Sequence, residues 1–408
     1  GDYDVDGITS TAIFVKYMRA IGADVMWHLP TREGEGYGLH PDAVHAIHDA
    51  GAKLLVTVDC GISGGTEVEL ARSLGMHVVV TDHHSPDANL PNADAVVNPK
   101  RVDDDSGLTY LAGVGVAFLT LVAVNRELKN SGRADLVEKI QSVNLLNFLD
   151  CVALGTICDT MALVGLNRAF VATGLKVLNL RQNLGLRVLM GIAHVDRVSV
   201  YTAGFVIGPR LNAAGRLDSA APALELLLTD NPLIAQDLAN KLDAMNQERI
   251  NIQNIIMAQA TDMSDRYCAD GRCSLFICGD NWHGGVMGII GVLGLLLLMT
   301  VLLSLASCFG AMTVCLLVGS LLDILAEILD GLDDAVLDFF YQQIPVDLTL
   351  LDKLCQRVKK LLIHFLLPVL PQIDYRFSSQ IYVRGLTRPR CLPLPAPHPG
   401  RRRSFLRA

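Results

Sequence analysis

Short apolar runs alternate with amphipathic stretches through the first hundred residues. Apolar positions recur at helical spacing over 8–21, 41–49 and 64–73, and compact β-branched runs over 24–29, 53–59 and 77–81 ("HVVVT") read as strands. Strands and helices in alternation imply βαβ units and a mostly parallel sheet, in which ligands sit beyond the carboxyl ends of the strands. Residues 108–190 are mainly helical by pattern. "GPRLNAAGRLDSA" (208–220) reads as a Gly/Asn-punctuated loop entering a helix, and 232–263 as one long polar-faced helix fit to connect two lobes. Residues 274–278 read as a short strand of a second α/β unit.

The texture then changes. Between Gly284 and Leu322 there is no charged residue, and the stretch is long enough to span a bilayer once or twice at about 20 residues per span. Three readings stand side by side: a membrane hairpin, a buried helical segment, or out-of-frame sequence following an intact first part. The last stretch, 384–408, has arginines, alternating prolines and no acids, and reads as a loose tail.

A chain of 408 residues accommodates two or three domains. A net charge of −8 with 19% charged residues excludes a globally basic nucleic-acid coat, so any such contact needs a local basic groove. The 51% hydrophobic content and mean hydropathy of +0.36 exclude general disorder, and the excess is concentrated after Gly284. Ten cysteines without a CxxC pair read as reduced thiols of a cytoplasmic protein. The chain opens on Gly1 already inside a motif, with no signal peptide visible, and reads as a segment whose N-terminus is truncated.

Acids and histidines gather at the predicted strand ends. "GDYDVDG" sets Asp2, Asp4 and Asp6 at every second position, which on an extended segment places them on one face. "VTVDCGIS" ends on Asp59, "VVVTDHHS" on Asp82, His83 and His84, and Asp159 follows the apolar run of "ALGTICDTMAL". Each piece alone has a plain structural reading, as a cap, a turn or a solvated exit. Together they are carboxylates that repel unless cations lie between them, and oxygen ligands with one or two imidazoles suit Mn²⁺ or Mg²⁺.

"DYDVDG", "VDCGIS", "TDHH" and "GTICDTMAL" occur in the order and approximate spacing of the DHH phosphoesterase family, and the chain resembles its single-strand-specific 5′→3′ DNA exonucleases. "TREGEGYGLH", "GPRLNAAGRLDSA" and "NQER" extend the resemblance, and "WHGGVMGII" (282–290) resembles the start of the companion DHHA1 domain, so the likeness covers 1–290. It implies an α/β fold: a parallel-sheet DHH domain over 1–230, a connector helix over 231–265, and the start of a smaller, incomplete α/β DHHA1-like domain over 266–290. The apolar segment 291–383 and the tail 384–408 depart from the family pattern.

Carried over by motif, the resemblance implies metal ligation by Asp4, Asp6, Asp59, His83 and Asp159, with Asp2 as an accessory acid and His84 beside the scissile phosphate. It implies two Mn²⁺ or Mg²⁺ ions and hydrolysis of phosphodiester bonds in DNA repair and recombination. Arginine forks match phosphate oxygens, so Arg210 and Arg216, flanking Asn212, are expected to grip the strand. Arg32 and Tyr37, in a Gly-rich loop, are candidates for a terminal phosphate and a base. His283, with Gly285 and Gly288, matches the second-lobe histidine that approaches substrate, although Gly284 replaces a glutamate common there. Single-stranded DNA is the implied partner, with single-strand-binding protein and a helicase beside it. Two other readings remain open at this point: a phosphodiesterase of short oligonucleotides or cyclic dinucleotides, and a non-catalytic nucleic-acid-binding remnant.

Overall fold

The computed structural model describes residues 1–32, 34–130, 134–269 and 277–289. The chain runs α1 (Val5–Ala20), α2 (Pro41–Asp49), β1 (Leu54–Val58), α3 (Gly65–Ser73), β2 (His77–Thr81) and β3 (Ala95–Val97). Helices follow: α4 (Gly113–Asn130), α5 (Ala134–Gln141), α6 (Leu149–Cys158), α7 (Gly165–Leu180) and α8 (Leu184–Ile192). A continuous helical run comes next, made of α9 (Val200–Thr202), a π-helical segment Ala203–Ile207 and α10 (Gly208–Leu217), before α11 (Ala221–Leu228) and α12 (Pro232–Ala269).

The strands form a parallel sheet in the order β1-β2-β3, with Val56 opposite Val79 and Val80 opposite Val96. Side chains alternate across it as a period of two requires. Leu55, Val78 and Val80 pack with Val44 of α2 and Val68 and Ala71 of α3 on one face, while Val58 joins the larger core on the other. That larger core is helical. Ile8, Ile13 and Tyr17 of α1, Leu121 of α4, Leu154 of α6 and Leu189 of α8 are fully buried in it. At about 1.5–3 kcal/mol for each large apolar side chain buried, this layer outweighs the three-strand sheet as a source of stability.

Four expectations are corrected here. Residues 24–29 form no strand: the Gly1 amino group donates to the His28 carbonyl at 3.0 Å, and Val25 and Trp27 line a cavity of about 500 Å³ together with Leu54 and Val56. "DYDVDG" is not extended throughout. Asp4 caps α1 by accepting the Gly7 N–H at 3.0 Å, and Asp6 already lies in the helix's first turn. "GPRLNAAGR" is helix rather than loop, and its Gly215 serves a close approach instead of a turn: a Cβ there would lie 2.4 Å from the Tyr3 carbonyl. The π segment before it is what Pro209 demands, since proline lacks an N–H and its ring displaces the carbonyl four residues back. Of the stretch 274–278, Ile277 and Cys278 are not in a strand, and 274–276 lie outside the described residues.

The long helix expected over 232–263 runs further, as a single 38-residue helix Pro232–Ala269. Its first half buries Ala235, Leu238, Ala239 and Leu242 in the main core, and further along Ile256 packs with Val286 and Trp282. Among the described residues no single helix is long and apolar enough to cross a membrane. The segments 291–383 and 384–408 lie outside the described residues.

Candidate active site

The carboxyl ends of β1 and β2 deliver Asp59 and the Asp82–His84 turn to one point. Asp59 sits at φ 60°, a left-handed conformation that aspartate tolerates better than most residues, and its carboxyl is buried. Space for it exists because residue 113 is glycine: a Cβ there would lie 2.4 Å from Asp59 Oδ1. The N-terminus of α4 also holds Asp6, whose carboxylate accepts the N–H of Gly113 at 2.6 Å and of Val114 at 2.9 Å. Asp159 caps the C-terminus of α6, whose Gly155 lets that helix close on Asp6 and Thr9.

His83 is the centre of the arrangement. Its Nδ1–H donates to the Leu111 carbonyl at 3.0 Å, which leaves the Nε2 lone pair facing the acids. Nε2 stands 3.2 Å from Asp59 Oδ1, 3.6 Å from Asp159 Oδ2 and 3.9 Å from Asp6 Oδ2. Burial first, then the adjacent His84, lowers the His83 pKa to about 4, so the ring is neutral at physiological pH. Asp2, Asp4 and Asp59 form a second group in which one oxygen from each lies within 4.8 Å of the others, as do atoms of Asp6, His83 and Asp159 in the first. Asp59, His83 and His84 form a third such group, so Asp59 belongs to two of the three.

Three of these acids present oxygens without a protein partner. Asp2 Oδ1, Asp59 Oδ1 and Asp159 Oδ2 are buried with no hydrogen-bond partner. Burial, and then neighbouring carboxylates, raises Asp2 and Asp159 to about 7 and pushes Asp6 and Asp59 well above the usual range. Orphaned buried oxygens around a neutral imidazole fit hard divalent cations, which would satisfy the oxygens and favour ionisation.

His84 is built differently. Its Nδ1–H is shared between Asp82 Oδ1 at 2.8 Å and Tyr37 Oη at 2.9 Å, while the Tyr37 hydroxyl donates to the Asp59 carbonyl at 3.4 Å. The hydrogen bond to Asp82 raises the His84 pKa despite partial burial. Asp82, fully buried, also accepts from the N–H groups of Ile62, His83 and His84, and these bonds hold its own pKa down against the cost of burial. The neighbouring histidines thus differ: one is kept neutral, the other is biased toward the imidazolium. Asp82 and the Gly113–Val114 amides were not among the expected site residues; the triplet "DHH" and the "GVGV" stretch were the available signals.

Arginines gather beside the acids. The Arg32 guanidinium stacks 4.2 Å over the Tyr3 ring and its Nε is buried without a partner. Arg216 donates to the Gly285 carbonyl at 3.0 Å, and its pKa is lowered by burial and then by Arg32 and Arg249. Three like charges thus face one region. Gly285 packs directly on the Arg216 backbone, which brings His283 to the same edge; the Gly285 N–H bonds His283 Nδ1 at 3.1 Å. Arg210 points elsewhere: its Nε donates to Asp243 of α12 at 2.8 Å and its Nη1 to the Val206 carbonyl at 2.7 Å. Asn212 is half-buried on the same helix.

A family model described as "DHH family, N-terminal domain" matches residues 1–156. The single-stranded-DNA-specific exonuclease RecJ of Escherichia coli strain K12 is 41% identical over 298 residues, which is 71% of this chain and 51% of that protein. RecJ of Bacillus subtilis strain 168 is 35% identical, again over 71% of this chain, and 35% of its own length is matched. The chain spans about half the length, or less, of these curated relatives. A crystal structure of exonuclease RecJ bound to manganese superposes with a TM-score of 0.61 at 36% identity, covering 71% of this chain and 70% of that one. The Mn²⁺ complex of RecJ from Thermus thermophilus gives 0.58 at 34% identity, covering 71% of this chain and 40% of that one.

Proposed function

Because the chain belongs to the DHH family, in its RecJ-type branch, we propose that it is a metal-dependent exonuclease that hydrolyses single-stranded DNA from the 5′ end, in DNA repair and recombination in the cytoplasm. The observation that carries this reading is the cluster of orphaned buried carboxylate oxygens around neutral His83.

In this reading Asp6, His83, Asp159 and Asp59 would hold one divalent cation, and Asp59, Asp4 and Asp2 the other. When bound, the pair of Mn²⁺ or Mg²⁺ ions supplies Lewis-acid activation of water and of the phosphoryl oxygens. The protein's own groups do the rest. The α4 amides hold Asp6 in place. The Leu111 carbonyl keeps the proton of His83 on Nδ1, so Nε2 is free to ligate. Asp82 and Tyr37 orient His84 so that its Nε2–H can donate to a phosphoryl oxygen as negative charge develops. Arg32 and Arg216 bind the 5′-terminal phosphate, His283 closes on the strand from the 282–289 segment, and Tyr37 offers its ring to a base. Residues 1–230 form the catalytic domain, 231–265 the connector and 266–290 the start of the second domain. Single-strand-binding protein and a helicase are the partners this reading adds.

The test is degradation of 5′-labelled single-stranded, double-stranded and dinucleotide substrates with Mn²⁺. Release of 5′ mononucleotides from the single strand, abolished by EDTA, is expected. Turnover confined to the dinucleotide would replace this reading with a small-oligonucleotide phosphodiesterase.

A further inference from the structure

Lys100 is a cation near the acids that the roles above leave unused. It follows Asn98 and Pro99 at the end of β3. Asn98 is buried and works as a clamp. Its Nδ2 donates to the His84 carbonyl at 2.9 Å, and its Oδ1 accepts the Lys100 backbone N–H at 2.8 Å. Two hydrogen bonds through one side chain therefore tie the Lys100 backbone to the Asp82–His84 turn. The Asp82 N–H, donating to the Val97 carbonyl at 3.0 Å, ties the same turn to β3 from the other side. Lys100 is thus fixed relative to the candidate metal ligands by a short, rigid path, with Pro99 removing one backbone freedom inside it.

The next residue shows what a structural cation looks like at this place. Arg101 is committed to Asp103 and to the Val96 carbonyl. Among the described residues Lys100 makes no ion pair within 4 Å. Its charge is nevertheless felt at Asp159 and at His83, where it favours the carboxylate and the neutral ring. An ammonium that stands off from an acid cluster, rather than collapsing onto it, leaves room for alternating layers of carboxylate, divalent cation, anion and ammonium. A carboxylate-only role would favour direct contact, because at short range Coulomb attraction grows as the separation falls.

Resting on the exonuclease reading, we propose that Lys100 is a further substrate-binding residue whose ammonium contacts a DNA phosphate at the acid–histidine cluster. It comes from a different element from Arg32 and Arg216, so one phosphate would be held from the end of β3 and the terminal phosphate from α10. As a point charge on a flexible stem, lysine suits a phosphate that moves on after each cut, since it does not demand the fixed bidentate geometry of arginine.

The experiment compares the full chain with Lys100→Gln and Lys100→Arg for Mn²⁺-dependent hydrolysis of a single-stranded oligonucleotide at several salt concentrations, with Mn²⁺ binding measured without DNA. Lys100→Gln is expected to raise KM about tenfold, the ratio that one lost charge-assisted hydrogen bond gives, and to lower the salt slope by roughly 0.7. Mn²⁺ affinity should hold or rise, because a cation has left the neighbourhood of the acids. Lys100→Arg should recover most of the KM and the salt slope. An unchanged KM and salt slope in Lys100→Gln overturns the proposal and leaves the exonuclease reading intact. Weakened Mn²⁺ binding in that variant also overturns it, since the residue would then be holding the Asp82–His84 turn. If the unaltered chain degrades no single strand under these conditions, the exonuclease reading fails and the proposal with it.

Discussion

Asp59 and Asp159 reach the same imidazole nitrogen from a strand end and a helix end, with Asp59 at 3.2 Å and Asp159 at 3.6 Å. Asp159 is the better residue to change, because it caps α6 without a side-chain role in the helix and is partly exposed. Asp159→Ala is expected to lower Mn²⁺-dependent hydrolysis by at least about 100-fold while circular dichroism and the unfolding temperature stay close to those of the unaltered chain; retained hydrolysis would remove Asp159 from the ligand set. The same cluster predicts how stability depends on pH without metal. Asp2 and Asp159 are raised to about 7 from an ordinary value of 3.8, so between those limits the folded chain holds protons that the unfolded chain has released. Stability therefore falls as pH rises through this window. His83, lowered from 6.5 to about 4, works in the opposite sense but only below 6.5. Above about pH 6.5 His84, whose pKa its bond to Asp82 raises, acts in the same sense as the carboxylates, and thermal unfolding in EDTA should shift to lower temperature as pH rises. Saturating Mn²⁺ should flatten or reverse that trend, because it binds the ionised acids and releases their protons. A rising unfolding temperature in EDTA over the same range would contradict the burial of these groups.

At the scale of elements, α10 separates two arginines that look equivalent in "GPRLNAAGR". Arg210 faces α12 and is paired with Asp243, whereas Arg216 faces Arg32, Arg249 and the Gly285 carbonyl. Arg216→Ala should weaken single-strand binding and reduce its salt slope by roughly 0.7, one phosphate contact for a single strand. Arg210→Ala should leave that slope unchanged and lower the unfolding temperature, since it unties α10 from α12; a reduced slope there would return Arg210 to the DNA. This contrast also marks what the chain discloses before its fold is known. Strand ends were legible because a five-residue β-branched run followed by an acid is a strong local signal, and α2 and β2 fall on the residues the pattern indicated. The stretch 24–29 carried the same signal and failed, because pairing depends on a neighbour and not on the run itself. The start of α1 was hidden by Gly7, which looks like a turn residue but sits where a Cβ would meet the Asp2 backbone at 2.4 Å. Which acids and which imidazole come together was legible from motif order. The direction each arginine takes was not, because both sit on one helix and only its rotation against α12 decides between them.

At the scale of the whole molecule, the acid–histidine cluster and its supports draw on residues from Asp2 to Asp159, and the arginine edge adds Arg216, Arg249 and the 282–289 segment. The main core closes with α11 and the first half of α12, whose Leu224, Leu227, Ala239 and Leu242 are fully buried against α1 and α8. The 282–289 segment contributes Val286, buried against Ile256. Among the described residues, everything that positions the cluster lies before Ile290, and the charge-free run follows in the sequence. A chain ending at Ile290 is expected to fold, to bind two Mn²⁺ with affinities within a few-fold of the full chain, and to be the more soluble of the two. Calorimetric Mn²⁺ titration and far-ultraviolet circular dichroism on both chains provide the measurement. The physical argument is consistency across levels: up to this point capping residues, strand alternation, glycine placement and motif position agree on one fold, as they do in a sequence with a single deep minimum. A shortened chain that loses its helical signal or aggregates would place part of the core in the apolar run. One that folds but binds no Mn²⁺ would mean that a ligand or a necessary support lies beyond Ile290, and the two ligand sets built around Asp59 would then be incomplete.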